Sequence, residues 1–182
     1  SVSAQSAWDW LEANPNRVPT GGFTNLYGHN GATYVAGNDV HARFWAAAEI
    51  FRLSGDAGAR AYVDARWGEG LTYNGIWSPD SWGDLAKMGA FTYRDAPGAT
   101  PYVVSGGWWG IQNSTLSSAD VWTARIGQDG YGCAATTDGG VGDYYWGFTG
   151  VLLRYAWTLI QAHRYDGTDE AHLRGALEQL NY

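Results

Sequence analysis

Charge is scarce in this sequence, and cysteine scarcer. Asp, Glu, Lys and Arg make up 16% of the 182 residues, and 18 acidic against 11 basic side chains leave a formal net charge of −7. Proteins that bind nucleic acid need clustered Lys and Arg to neutralise phosphates, so an acidic chain tells against that partner. Cys133 is the only cysteine, which excludes an internal disulfide framework and leaves the redox compartment open. No apolar run reaches the roughly 18 residues of a membrane-spanning helix, so no membrane partner is expected. The segment SVSAQSAWDW has neither the basic nor the apolar region of a signal peptide. His29, His41, His163 and His172 are scattered without zinc-ligand spacing, and no Ser/His/Asp order suggests a hydrolase triad. The glycine runs lack the Lys-Ser/Thr ending of a phosphate loop.

Aromatic residues and glycine are abundant instead, with 11 Trp, 12 Tyr and 26 Gly in a chain that is 45% hydrophobic. That much apolar material supports an ordinary globular core. Trp is awkward to bury completely because its N–H needs a partner. Many Trp therefore suggest half-exposed flat surfaces, which suit the apolar C–H faces of sugar rings. A neutral polysaccharide also needs no charge steering. The competing reading is that Trp simply fills a large helical core.

The periodicities are helical. Ala4, Ala7, Trp8 and Leu11 form one stripe, stopped by the NPN at 14–16. A turn-rich stretch from Arg17 to Asn38 follows, and Asp39 then reads as the cap of a helix with Val40, Phe44, Ala47, Ala48 and Phe51 on its apolar face. Gly55 ends that helix and Asp56 opens another through Trp67. Ser78-Pro79 starts a helix that runs through Leu85, Met88 and Phe91 and stops before Pro97. Between 98 and 143 the only legible helix is around Ser117–Arg125. From Val151 to Ala162 the sequence is apolar almost all round, which predicts a helix covered on most sides. Thr168 or Asp169 caps a last helix. Gly55-Asp56 and the Gly167 turn stand 112 residues apart on one plan of helix, glycine turn, Asp, helix. That period is too long for a short-repeat solenoid and suits helix pairs in a toroid. Strand signals are weak throughout, so the expected class is all-α with long loops on one face.

Taken together and in order, SAWDWLEANPNRVP, RFWAAAEIFRLSGD, SWGDLAKMGAF and DYYWGFTGVLLRYAWTLIQAHRYDGTDEAHLRGALEQLNY resemble the middle of the catalytic domain of glycoside hydrolase family 9. The resemblance spans about two thirds of the chain and is thinnest from 98 to 140. It implies an (α/α)6 barrel, an aromatic-lined cleft across one end, and inverting hydrolysis of β-1,4-glucan of the cellulose type. The family takes its base from an early Asp-Ala-Gly-Asp motif and its acid from a late Glu, and neither is found here. Asp56-Ala57-Gly58-Ala59 departs at its last position and sits where a helix–helix turn is expected. The chain also stops before the Leu-Gly-Arg-Asn segment into which the family continues. A partial catalytic domain over 1–182, incomplete at both ends, is therefore expected, with the remainder of the same enzyme as a partner. As a family trait, secretion would need an export signal outside this segment.

No catalytic residue is assigned. The resemblance puts a sugar-stacking Trp at Trp146, which follows Asp143-Tyr144-Tyr145 and precedes Gly147. The alternative for Trp146 is a plug at the start of the buried helix. Trp77, beside Ser78-Pro79-Asp80, is the second stacking candidate. Tyr144, Tyr145 and Asp143 complete the expected substrate-binding set. Trp8, Trp45 and Trp157 fall in helical stripes and read as core, while Trp108 and Trp109, between glycines, read as a mobile aromatic lip. Asp39, Asp80, Asp84 and Asp138 are further loop-side acids. Some family members bind calcium through an Asp-Glu pair four and three residues before the Trp of the FWAAAE-like helix. His41 and Ala42 stand there, which tells against calcium at that place, and no other cofactor is indicated. Two other readings stay open. One is a non-catalytic glycan-binding module; the other is a different helical-toroid polysaccharide hydrolase or lyase.

Overall fold

The computed structural model describes residues 2–16, 39–69, 85–134 and 148–181. Among these, all regular structure is helical: α1 (Val2–Ala13), α2 (Val40–Ser54), α3 (Ala57–Gly68), α4 (Ala86–Arg94), α5 (Pro101–Ser105), α6 (Ile111–Gln128), α7 (Phe148–Asp166) and α8 (Glu170–Leu180). A short 3-10 turn, Gly107–Trp109, separates α5 from α6.

The two glycine turns expected from the sequence are built alike. Gly55 and Gly167 both have φ of 72°, a left-handed conformation that costs glycine nothing. The Gly55 N–H donates to the Phe51 carbonyl at 2.8 Å, and that of Gly167 to the His163 carbonyl at 2.7 Å. Each return helix is then capped by a carboxylate. Asp56 accepts from the Ala59 N–H and Asp169 from the Ala171 N–H, both at 2.8 Å. The results are two helical hairpins, α2–α3 and α7–α8. Asp39 precedes α2 but makes no side-chain cap; it accepts from Arg43 Nε at 2.8 Å. The buried Arg43 guanidinium also donates to the carbonyls of Leu11 and Asn14, so the cation satisfies the end of α1 and ties it to α2.

Contacts between side chains give the helix directions. Gly89 lies against Phe44 and Trp45, and Thr92 donates to Glu49, so α4 runs parallel to α2. Phe91 meets Trp157 and Asp95 meets Arg164, so α7 runs parallel to α4. Helix α6 runs the other way: Lys87 sits over the Trp122 ring while Arg94 reaches Gln112. Helix α8 follows α6, with His172 at Asp120, Gly175 at Ile126 and Gln179 at Gly132. Three parallel helices, α2, α4 and α7, thus form a front layer, and α3, α6 and α8 back it in the opposite direction.

The core has two parts. One gathers Trp8, Phe44, Phe51, Val63, Trp67, Phe91 and Tyr93, and the other Trp122, Ile126, Tyr155, Leu159 and Ala176. Helix α4 serves both. Phe91 contacts the rings of Trp157 and Tyr165, and the buried Lys87 ammonium lies 5.2 Å from the Trp122 ring centre. A polar knot holds α3 to α4 and α5. Asp64 accepts from the Tyr93 and Thr100 hydroxyls, each at 2.6 Å, and burial followed by that carboxylate pushes the Tyr93 phenol above its ordinary range.

Helix α7 is covered on most sides, as expected: Val151, Leu152, Tyr155, Ala156, Leu159 and Ala162 are buried, and the open side is one stripe through Leu153 and Trp157, 50% and 41% exposed. One expectation needs correction. The helix expected around Ser117–Arg125 runs from Ile111 to Gln128. Its buried face carries Ser114, Thr115 and Ser118, whose hydroxyls bond back to the carbonyls of Trp108, Ile111 and Ser114. Satisfied hydroxyls let polar residues occupy an interior face, and this hid the first turns from a hydrophobic pattern.

A Cβ at Gly89 would lie 2.6 Å from Phe44 Cδ1 and 2.8 Å from the Trp45 Cα, and the latter cannot move aside. Gly89→Ala should lower stability by about 1–3 kcal/mol, as overpacking does. Gly127, in α6 with nothing near its missing Cβ, is the control; Gly127→Ala should raise stability by about 0.5–1 kcal/mol. Urea unfolding of both variants checks this, and an unchanged midpoint for Gly89→Ala would show that α2 and α4 do not pack so closely.

Candidate functional site

Because α2, α4 and α7 run parallel, they begin at one end of the molecule. Residues 17–38, 70–84 and 135–147 lead into those three starts in the sequence, and the last two hold Trp77 and Asp143-Tyr144-Tyr145-Trp146. These five, with His29, Asp80, Trp82, Asp84 and Asp138, lie outside the described residues. Two of the tryptophans expected in the core depart from it. Trp8 is buried at 2% exposure, whereas Trp45 is half-buried and Trp157 is exposed.

Trp45 and Trp157 border a groove along the front layer. Two adjoining cavities of about 230 and about 300 Å³ share Trp45, Met88, Phe91 and Trp157 as walls. Toward the helix starts the first is completed by Leu85, Lys87 and Arg154. Toward the helix ends the second acquires Glu49, Thr92, Asp95, Gln161 and Arg164. Aromatic walls beside hydrogen-bonding groups match a sugar ring chemically, and they equally match an amphipathic helix laid in the groove.

Glu49 organises the polar end. Its Oε1 accepts from Trp45 Nε1 at 3.2 Å and from the Thr92 hydroxyl at 3.0 Å, and its Oε2 accepts from Arg52 at 2.9 Å. Partial burial acts to raise its pKa, but the hydrogen bonds from Arg52, Thr92 and Trp45 outweigh burial and hold the carboxyl below the usual glutamate range. Asp95 lies between Arg94 and Arg164, each at 3.1 Å. A carboxyl held below its usual range, as that of Glu49 is, makes a poor proton donor and suits holding a partner.

One group among the described residues brings together the donors a metal ion needs. Asp120, Asp169 and His172 have ligand atoms within 4.8 Å of one another. His172 is buried, its Nε2 lies 3.0 Å from Asp120, and its Nδ1 is buried without a partner. A metal would need the lone pair on Nε2, which would put the proton on Nδ1 and strand a buried N–H, costing about 1–3 kcal/mol. With the proton on Nε2, the ring donates to Asp120 and only an acceptor is stranded. We read the group as a clamp between α6 and α8.

Trp108 and Trp109, expected as an aromatic lip, sit on a short 3-10 turn. The backbone of their 3-10 turn is held by Asn113, whose amide donates to the Gly107 carbonyl at 2.6 Å, and by the Ser114 hydroxyl, which donates to the Trp108 carbonyl at 2.7 Å. The sequence offered a signal here, an Asn and a Ser placed to bond back to the turn, although hydrophobic periodicity does not register it.

No protein-family model matches the chain. Two sequences of Endoglucanase D from Acetivibrio thermocellus, one of them from a defined strain, are each 28% identical to it over 183 residues. The likeness covers 99% of this chain but 27% and 26% of those proteins, so the chain spans about a quarter of the length of the curated relatives it matches.

The Glu49 carboxyl has a lowered folded pKa, so its stabilisation is present above the pKa it has when unfolded and is lost as pH falls through the folded value. Melting temperatures taken from neutral pH downward should fall more steeply for the unaltered chain than for Glu49→Gln once the pH passes below the glutamate range. Superimposable acid limbs would mean that the network around Trp45 carries no stability.

Proposed function

We propose that this chain is part of the catalytic domain of a secreted, inverting β-1,4-glucan hydrolase of family 9, and that it supplies scaffold and binding surface. The acid and base come from the remainder of the same enzyme. The observation that carries the reading is the likeness to Endoglucanase D along 99% of the chain. The helix arrangement supports it. Parallel front helices, each backed by an antiparallel helix, make the repeating unit of an (α/α)6 toroid, and the exposed Leu153 and Trp157 leave apolar surface for further inner helices to cover.

On this reading the Trp45–Trp157 groove is a packing face, and the sugar cleft lies at the end where α2, α4 and α7 begin. Trp146 and Trp77 stack on pyranose rings there, Tyr144 and Tyr145 widen the aromatic surface, and Asp143 accepts from sugar hydroxyls. In inversion, one carboxylic acid protonates the leaving oxygen while an opposed carboxylate, roughly 6.5–9.5 Å away, activates a water. A non-catalytic glycan-binding role is the second reading, favoured by the outward-facing Trp108 and Trp109.

The purified chain should release no reducing sugar from soluble cellulose derivatives, since each missing proton transfer is worth about 10²–10⁴-fold. Turnover at the rate of an intact enzyme would overturn the assignment of acid and base to the remainder. In the complete enzyme, Trp146→Ala should weaken cello-oligosaccharide binding by about 1–3 kcal/mol with little change in melting temperature. Trp45→Ala should do the reverse, losing about 3–5 kcal/mol of stability and no affinity. The opposite pattern would put the cleft in the groove.

A further inference from the structure

Trp108 and Trp109, consecutive on one turn, are 69% and 55% exposed, far more than tryptophan usually is. The turn that carries the two tryptophans is shaped by its glycines and by hydrogen bonds from Asn113 and Ser114. Gly107 adopts φ of 56°, and a Cβ at Gly110 would collide with the backbone at Gly106 and Ser105. Beside Trp108 a cavity of about 250 Å³ is lined by Gly107, Asn113, Leu116, Ser117 and Asp120. Asn113 spends its amide nitrogen on the turn, which holds its position. Asp120 is held at one oxygen by His172.

These groups select a ligand class. An indole face and Leu116 offer an apolar floor, while a carboxamide, a hydroxyl and a carboxylate offer donors and acceptors at its edge. Side chains of this mixture match the C–H face and hydroxyl rim of a pyranose ring. No Lys or Arg lines the cavity, and a carboxylate does, so phosphates and nucleic acids are disfavoured. The face lies at the start of α6, the end of the molecule opposite to the starts of α2, α4 and α7.

We propose that Trp108 and Trp109 form a platform for a neutral glycan chain, with Asn113, Ser117 and Asp120 reading the hydroxyls of the ring seated beside Trp108. That the glycan is a β-linked glucan rests on the function proposed above; the platform itself does not. Binding of cellohexaose, xylohexaose and chitohexaose to the 182-residue chain is measured by calorimetry, for the unaltered protein and for Trp108→Ala, Trp109→Ala and Asp120→Asn. Trp10→Ala, on the exposed face of α1, is the control. Cellohexaose should bind, Trp108→Ala and Trp109→Ala should each weaken it roughly tenfold or more, Asp120→Asn should weaken it less, and Trp10→Ala should leave it unchanged. Melting temperatures of the tryptophan variants should stay within a degree or two, since their rings are exposed. Trp108-dependent binding of xylohexaose or chitohexaose without cellohexaose would uphold the platform and sink the glucan reading. Absence of binding to all three sugars, or cellohexaose binding indifferent to Trp108 and Trp109, would overturn the platform and leave the glucan reading to the complete enzyme.

Discussion

At Gly89 the absence of a side chain lets the backbone of α4 settle against Phe44 and the Cα of Trp45, and the rest of the structure depends on that approach. It fixes the distance and parallel direction of α2 and α4. It brings Thr92 within reach of Glu49 and turns Phe91 toward Trp157 and Tyr165. Helix α4 is short, at nine residues, and would be marginal in isolation. It is stable here because Ala90, Phe91 and Tyr93 pack into the first part of the core while Lys87 reaches the second over Trp122. Moving α4 outward by the width of a methyl group would open a gap on both sides at once, since interiors are packed too tightly to absorb it.

Charge completes what packing begins. Arg43, Lys87 and Arg94 are few cations in an acidic chain, and each is used at a junction: Arg43 on the carbonyls that end α1, Lys87 over Trp122, Arg94 over the Tyr165 ring at 4.3 Å. A guanidinium or ammonium on an aromatic face keeps attraction while covering apolar surface. Burial pushes the Tyr165 phenol above its ordinary range, reinforced by Asp95 and opposed by Arg94 and Arg164. Scarce charge in the sequence thus becomes charge placed between helices.

The proposed glycan platform and the proposed packing face draw on the same residue type, and only their settings separate them. Trp45 has its N–H bound by Glu49 and lines a groove with Met88 and Phe91, a setting that suits covering by another helix. Trp108 stands 69% exposed on a turn fixed by hydrogen bonds, beside polar side chains, a setting that suits a ligand that comes and goes. Composition counts both as tryptophan. Exposure, backbone anchoring and neighbouring groups distinguish them.

By itself the sequence determined the helical class, the hairpins at Gly55 and Gly167 and the Asp56 cap, and it narrowed the second cap to Thr168 or Asp169, between which the structure chose Asp169. Each of these depends on local chemistry: a 3.6-residue stripe, a left-handed glycine, an Asp before a helix. The tertiary structure decided what depends on distant residues. It recruited Asp39 to Arg43 in place of a cap, and it filled the buried face of α6 with hydroxyls. It left Leu153 and Trp157 open on a helix that reads as apolar all round. Those outcomes depend on which helices lie alongside, and α4 meets its partners 43 and 69 residues away in sequence, at Glu49 and Arg164. No local pattern encodes a neighbour at that separation; the shape of the packed core selects it.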